Sequence, residues 1–214
     1  MNTRLTLLAA LLLAGPALAN AATPEELIRP IQDQWAEIKY RQPTEKQVES
    51  YDKLAAQAHR LVESNPGVAE ALIWEGIVLS SEAGAKGGLG ALGLAKEARQ
   101  RFEEALKLND KALSGSAYTS LATLYAKVPG WPIGFGDKER ADEYFRKSLA
   151  LNPIGIDPNF LYGEYLAERG RLPEARARLE AALEAPPRQG RELADTGRRQ
   201  ETQALLATLK KDAG

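Results

Sequence analysis

The sequence predicts an all-α protein: a right-handed α-solenoid of about four helix hairpins, with two inserted loops and a C-terminal capping helix. Small residues recur at the positions where two paired helices would touch, and asparagine or proline signals close each unit. Apolar residues follow helical spacing, and no stretch alternates apolar and polar residues as a half-buried strand would. With 44% hydrophobic residues, the chain has enough apolar surface to form a packed core.

The last hairpin, residues 160–187, shows the pattern most clearly. Gly163 on the first helix and Ala175 on the second have little bulk, so the two helix backbones can approach closely. Leu179 lies one helical turn after Ala175 and fills the seam between the helices. Gly170 predicts the turn between them, because glycine readily takes the left-handed conformation that ends a helix.

Two upstream hairpins repeat this skeleton with longer connections. Their small and large contact residues are Gly76, Ala98, Phe102 and Ala105 in one hairpin, and Ala122, Ala141, Phe145 and Ser148 in the next. The small residues are separated by 12 positions in the last hairpin (163 to 175), but by 22 (76 to 98) and 19 (122 to 141) upstream. The excess predicts inserts at 84–93 and 128–137, which stacked repeats would place on one edge.

The N-terminus predicts a secretory signal peptide over residues 1–21. A positively charged start precedes an apolar core over residues 5–14, and small residues allow cleavage after Ala19 or Ala21. The apolar run is too short to span a bilayer. Because the chain has no cysteine, we expect no lipid anchor at the cleavage site. The predicted product is a periplasmic protein with a single helical-repeat domain over residues 22–214.

Composition and motifs argue against several classes of function. The 28 basic and 29 acidic residues nearly balance, so we expect no nucleic-acid partner. The segment 88–93 matches G-x-G-x-x-G, but no predicted strand precedes it, as a dinucleotide site requires. We expect a close-packed connection there, or an early start of the next helix. His59 is the only histidine, and Glu164 and Glu168 fit a solvated helix face. The sequence therefore predicts no cofactor, no metal site and no enzyme activity.

The candidate binding residues are aromatic and apolar. Trp131, Ile133 and Phe135 alternate with proline and glycine in the second insert, where an ordinary turn would be polar. They could pack on the stack, line a ligand pocket or contact a neighbouring subunit. Trp74 and Tyr118 lie on the first helices of their hairpins and are candidates for the concave surface, although the core is an equal alternative for Trp74.

The spacing of Gly163, Ala175, Leu179, Ala182 and Pro187 resembles the tetratricopeptide repeat (TPR), a 34-residue helix pair. The inserts and their flanks, residues 82–88, 115–118 and 129–137, resemble exported repeat proteins grouped with the T component of tripartite ATP-independent periplasmic (TRAP) transporters. That resemblance implies a periplasmic helical scaffold that pairs with a substrate-binding protein and handles small hydrophobic ligands. Lys86, within the first of these segments, completes the predicted binding set.

The leading hypothesis from the sequence is a non-enzymatic periplasmic scaffold that binds a protein partner through its concave face and two inserts. The alternative is a carrier that holds a small apolar ligand in a pocket under the inserts. A carboxylate-based hydrolase is the third hypothesis.

Overall fold

The computed structural model describes residues 22–88 and 90–211, so the predicted signal peptide at 1–21 lies outside the described residues. Within those ranges the protein has no β-strand. None of the helices in this part of the chain is both long and apolar enough to cross a lipid bilayer. Over the described ranges the α-helices are α1 (Pro24–Arg41), α2 (Thr44–Ser64), α3 (Ala69–Lys86), α4 (Gly90–Leu108), α5 (Ser116–Lys127), α6 (Lys138–Leu151), α7 (Ile156–Glu168), α8 (Leu172–Glu184) and α9 (Glu192–Lys211).

Consecutive helices pair as hairpins, and the hairpins stack. The closest pairs include α3 with α4, α5 with α6 and α7 with α8, while α1 packs on both α2 and α3. The odd-numbered helices also contact their neighbours in the stack, and α9 packs on α7 and α8. The predicted all-α, solenoid-like fold with a C-terminal capping helix is therefore confirmed.

Small residues set the distance between paired helices, as the sequence predicts. A Cβ atom on Gly76 would lie 2.6 Å from the Phe102 ring, and one on Gly163 would lie 2.8 Å from Cγ of Leu179. The corresponding Ala122 is fully buried in the same hydrophobic core. The hairpins that contain Gly76 and Gly163 thus each have a position where a side chain from one helix lies against the backbone of the other.

Capping side chains and a glycine mark where several helices begin or end. Thr23 caps α1, since its hydroxyl accepts the Glu26 N–H while the Glu26 carboxylate accepts the Thr23 N–H at 2.8 Å. Gly170 has φ of +71° and lies in the turn between α7 and α8. Asp137 caps α6 by accepting the Arg140 N–H at 3.0 Å.

The first insert is helical over most of its length, which corrects the expectation of an inserted loop at 84–93. Helix α3 continues to Lys86 and α4 begins at Gly90, so the insert mainly lengthens both helices. Gly87 and Gly88 have φ of +63° and +60°, values that strongly favour glycine, and they form the turn. The alternative of an early start of the second helix is the one that the structure adopts.

The second insert, residues 128–137, is irregular and folds back on itself. The Gly136 N–H donates to the Pro129 carbonyl at 2.9 Å, and the Asp137 N–H donates to the Tyr125 carbonyl at 2.9 Å. A Cβ on Gly134 would lie 3.3 Å from Leu92 of the first insert. The two inserts are therefore neighbours, as the repeat spacing predicts.

The first and last described helices also contact each other. Arg29 of α1 donates to the carbonyl of Gly190 at 2.7 Å, just before α9 begins. Lys39 of α1 lies 3.2 Å from Glu201 of α9. The stack therefore curves far enough for α9 to reach α1, a closure that the repeat pattern does not predict.

We expect Gly76→Ala to lower the free energy of unfolding by about 1 kcal/mol, because overlap with the Phe102 ring outweighs the gain in helix propensity. Gly84→Ala, in the same helix, is the matched control: its Cβ meets open space and should stabilise the protein by about 0.5–1 kcal/mol. Urea denaturation followed by circular dichroism measures both. Equal stability of the two variants would contradict the proposed helix contact.

Candidate functional site

The curved stack encloses a cavity of about 1520 Å³ on its concave side. Its walls come mainly from the odd-numbered helices α1, α3, α5, α7 and α9, that is, from the first helix of each hairpin and the capping helix. Both inserts contribute to the lining, through Gly84, Gly88 and Leu92 from the first and Pro129 and Ile133 from the second. The cavity exceeds the volume of about 300–1,000 Å³ usual for sites that hold drug-sized ligands.

Much of the cavity wall is apolar. Ile77 of α3, Leu124 of α5, Phe160 and Leu161 of α7, and Leu205 of α9 all line it. These residues are buried or partly buried and belong to, or pack against, the hydrophobic clusters that hold the stack together. The helix faces that line the concave side of the stack are therefore largely apolar.

Aromatic side chains from α1, α2 and α3 form one part of the wall. Trp35 and Trp74 pack edge to face with their ring centroids 5.9 Å apart. The indole Nε1 of Trp35 donates to the Ser81 hydroxyl at 2.8 Å. Trp74 is 4% exposed and Tyr51 is 1% exposed, yet the Trp74 Nε1 and the Tyr51 hydroxyl have no hydrogen-bond partner among the described residues.

A network of ion pairs connects α7 to α9 beside these aromatic residues. Asp157 accepts from Arg188 Nη1 at 2.7 Å and from Arg198 Nε at 2.9 Å. Arg188 also pairs with the buried Asp195 at 2.6 Å, and Arg198 pairs with Glu201 at 2.7 Å. Each of these carboxylates therefore has at least one charged partner.

The ion pairs shift the pKa values of the acidic and basic members of the network in opposite directions. Burial opposes ionisation of Asp157, but the positive charges of Arg198 and Arg188 prevail and hold its carboxyl pKa well below the usual range. Burial likewise disfavours the charged form of Arg198, but the charge of Asp157 raises its pKa further above the ordinary arginine value. Asp157 is therefore ionised over the whole physiological pH range.

Arg191 differs from Arg188 and Arg198 of the network. Its guanidinium carbon lies 4.9 Å from the centre of a Trp74 ring, and the side chain lines the cavity. Within residues 22–88 and 90–211, no carboxylate lies within salt-bridge distance of it. Burial, followed by the nearby charge of Arg188, lowers its pKa to about 10. Arg191 is thus a partly buried cation without a carboxylate partner.

The predicted binding residues fall in different surroundings. Trp74 is buried in the core and lines the cavity, which combines the two alternatives given for it. Ile133 lines the cavity and is 61% exposed, whereas Trp131 is 91% exposed and does not line it. Phe135 packs within the molecule, edge to face with Tyr125 at 5.6 Å and 4.5 Å from the Arg99 guanidinium.

Tyr118 and Lys86 lie away from the cavity lining. Tyr118 stacks on Tyr144 of α6, with ring centroids 5.9 Å apart. Lys86 is exposed at the C-terminal end of α3. The structure therefore brings Trp74 and Ile133 to one cavity and leaves Trp131, Phe135, Tyr118 and Lys86 outside it.

The polar groups considered for catalysis have local partners. His59 Nδ1 lies 2.9 Å from the Glu75 carboxylate, and neither residue lines the cavity. Lys127 forms ion pairs with both Glu164 and Glu168. In the described part of the chain, no group of three or more histidine, cysteine, aspartate or glutamate side chains is arranged to hold a metal ion.

Sequence reasoning missed the charged side of the cavity. The sequence predicts only a capping helix for the C-terminal region, so the arginines there carry no predicted role. Asp157 is 31 residues before Arg188 and 41 before Arg198, so local spacing does not relate them. The available signal is compositional: several arginines lie within a short segment at the start of a helix that also has a buried face.

Comparison with known proteins does not assign the chain to a family. No protein-family model matches it, and no curated protein matches it.

We expect Asp157→Asn to lower the free energy of unfolding at pH 7 by about 2 kcal/mol, since two arginines lose a charged acceptor. The folded-state pKa of Asp157 is lowered, so its stabilising effect is present above the unfolded-state pKa and is lost as pH falls below about 4. The variant should therefore lose less stability than the wild type between pH 4 and pH 2.5.

Urea denaturation at several pH values measures this difference. Glu143→Gln removes an exposed carboxylate that pairs with Lys147 at 2.7 Å and serves as the control, with an expected change below about 0.5 kcal/mol. If Asp157→Asn and the wild type lose stability in parallel on acidification, ionised Asp157 does not stabilise the folded protein.

Proposed function

We propose that the protein is a non-enzymatic binding protein that carries a small, largely apolar molecule in the cavity on its concave side. The observation that carries the proposal is the cavity itself, about 1520 Å³ in volume and walled by apolar residues from five helices. A binding site of this kind is concave, mostly apolar and furnished with a few polar groups that orient the ligand.

Several contacts favour binding over catalysis. The cavity carboxylates Asp157, Glu164 and Glu201 are all engaged in ion pairs. Glu25, the remaining carboxylate of the lining, is exposed in the first turn of α1. His59 is held by Glu75 away from the cavity. A carboxylate-based hydrolase would need an acid or base free to exchange a proton with the substrate.

The resemblance to TPR proteins and to T components of TRAP transporters supports a wider setting for this role. We propose that the hairpins are TPR-like, that residues 1–21 direct export, and that the protein works in the periplasm beside a transporter. In that setting the carrier would pass its ligand to, or receive it from, a substrate-binding protein.

A protein partner is the second candidate function, and the exposure of Trp131 favours it. Trp131 is 91% exposed, so an interface that buried its side chain would remove a large apolar area from water. Trp131 lies in the second insert, close along the chain to Ile133 of the cavity lining. A partner bound there would sit next to the cavity.

The carrier function predicts that Ser120→Trp reduces ligand binding strongly, because Ser120 lines the cavity from α5 and the indole would occupy the space. Native mass spectrometry of the wild-type protein from cells should show a bound small molecule, and the variant should show mostly ligand-free protein. Ser64→Trp, an exposed position at the end of α2, should retain the ligand. Ligand-free wild-type protein in repeated preparations would contradict the proposal.

The scaffold function predicts that Trp131→Ala abolishes capture of a partner from a periplasmic extract while the free energy of unfolding changes by less than about 0.5 kcal/mol. Leu108→Ala, which changes an exposed apolar residue at the end of α4, should leave capture intact. If capture survives Trp131→Ala, the proposed protein interface at Trp131 is wrong.

A further inference from the structure

The cavity is apolar over most of its wall but has hydrogen-bond donors concentrated in one region. Arg191, Trp74 and Tyr51 all line it, from the start of α9, from α3 and from α2. A guanidinium and an indole N–H can only donate hydrogen bonds, and a phenol can also donate. The guanidinium of Arg191 lies over a Trp74 ring at 4.9 Å, so these two side chains are in contact.

Two of these donors, those of Trp74 and Tyr51, have no acceptor among the described residues. The Trp74 Nε1 and the Tyr51 hydroxyl are buried without a partner in the described chain, at 4% and 1% residue exposure. Burying an unpaired polar group costs about 1–3 kcal/mol, so native proteins usually satisfy such groups. Trp35, which packs against Trp74, has its indole N–H bonded to Ser81. The unpaired Trp74 donor therefore stands out from its neighbour.

The charge of Arg191 is also uncompensated by a direct partner. Asp157 and Asp195 are near enough to act on it electrostatically, but they pair with Arg188 and Arg198. Glu201 pairs with Arg198 and Lys39, and Glu192 accepts the N–H of Gly190. Arg29 adds a further positive charge, and its guanidinium donates to backbone carbonyls. The region thus favours an anion from outside the chain.

We propose that the ligand of this cavity is an amphipathic anion whose single charged head binds Arg191 and the Trp74 indole N–H, while its apolar tail lies along the wall formed by α3, α5 and α7. This inference rests on the proposed carrier function and names the chemical class of its ligand. A carboxylate or phosphate head accepts from both donors, with Tyr51 available as a third. The apolar side chains of Ile77, Leu124 and Leu161 provide the surface for the tail.

The experiment compares ligands that share one tail and differ in the head. Laurate, dodecyl phosphate and dodecan-1-ol are titrated into delipidated full-length protein, and binding is measured by calorimetry. The inference predicts that at least one of the two anions binds at least tenfold more tightly than the alcohol. Stronger binding of laurate or of dodecyl phosphate identifies which head group the donors prefer.

Two variants test the assigned contacts. Arg191→Gln should weaken binding of the preferred anion at least tenfold and leave binding of dodecan-1-ol unchanged. Trp74→Phe keeps an aromatic ring and removes the unpaired N–H, so it should weaken anion binding several-fold. Unchanged binding of dodecan-1-ol to this variant would show that the smaller ring leaves the cavity intact. Arg60→Gln, an exposed arginine on α2, is the matched control and should bind all three probes as the wild type does.

The outcomes separate this inference from the function on which it rests. Equal binding of anions and alcohol, unaffected by Arg191→Gln, overturns the anionic head while the carrier function stands. Failure of all three probes to bind, together with ligand-free protein from cells, overturns both. Loss of anion binding in Arg60→Gln as well would show a general charge effect and would also overturn the assigned site.

Discussion

Contact between a side chain of one helix and the backbone of its partner is the constraint on which the rest of the molecule depends. At Gly76 and Gly163 there is no space for a Cβ, so Phe102 and Leu179 lie directly against the facing helix. Such contacts set the distance within each hairpin, and repetition of the hairpins sets the curvature of the stack. The first helices of the hairpins then meet on the concave side, which is where the cavity lies.

Curvature alone leaves an open groove. Ion pairs between α9 and the rest of the stack help to close it. Asp157 of α7 joins Arg188 and Arg198, and through them fixes α9 against the inner side of the stack. Arg29 and Lys39 of α1 then reach the loop before α9 and α9 itself. Ion pairs in partly buried surroundings demand accurate geometry to offset desolvation. The paired members of this network satisfy that demand, whereas Arg191 lines the cavity without a carboxylate partner among the described residues.

The sequence predicted the parts of the fold that depend on near neighbours. The small residues of the hairpins and the turn at Gly170 both follow from local spacing and the conformational preference of glycine. The helical first insert was only one of two alternatives because glycine at 84, 90 and 93 suggests a loop, although within the insert only Gly87 and Gly88 have positive φ.

Of the candidate site, the sequence identified Trp74 and Ile133 but not Arg191, Arg188 or Asp157. Their proximity depends on how far four hairpins rotate the chain, which no short spacing encodes. The contact between α1 and α9 has a consequence for biosynthesis. Because α9 follows every other helix of the wall, a growing chain has no charged end to its cavity until that helix emerges. For the carrier function that we propose, this order would place ligand loading after assembly of the whole stack.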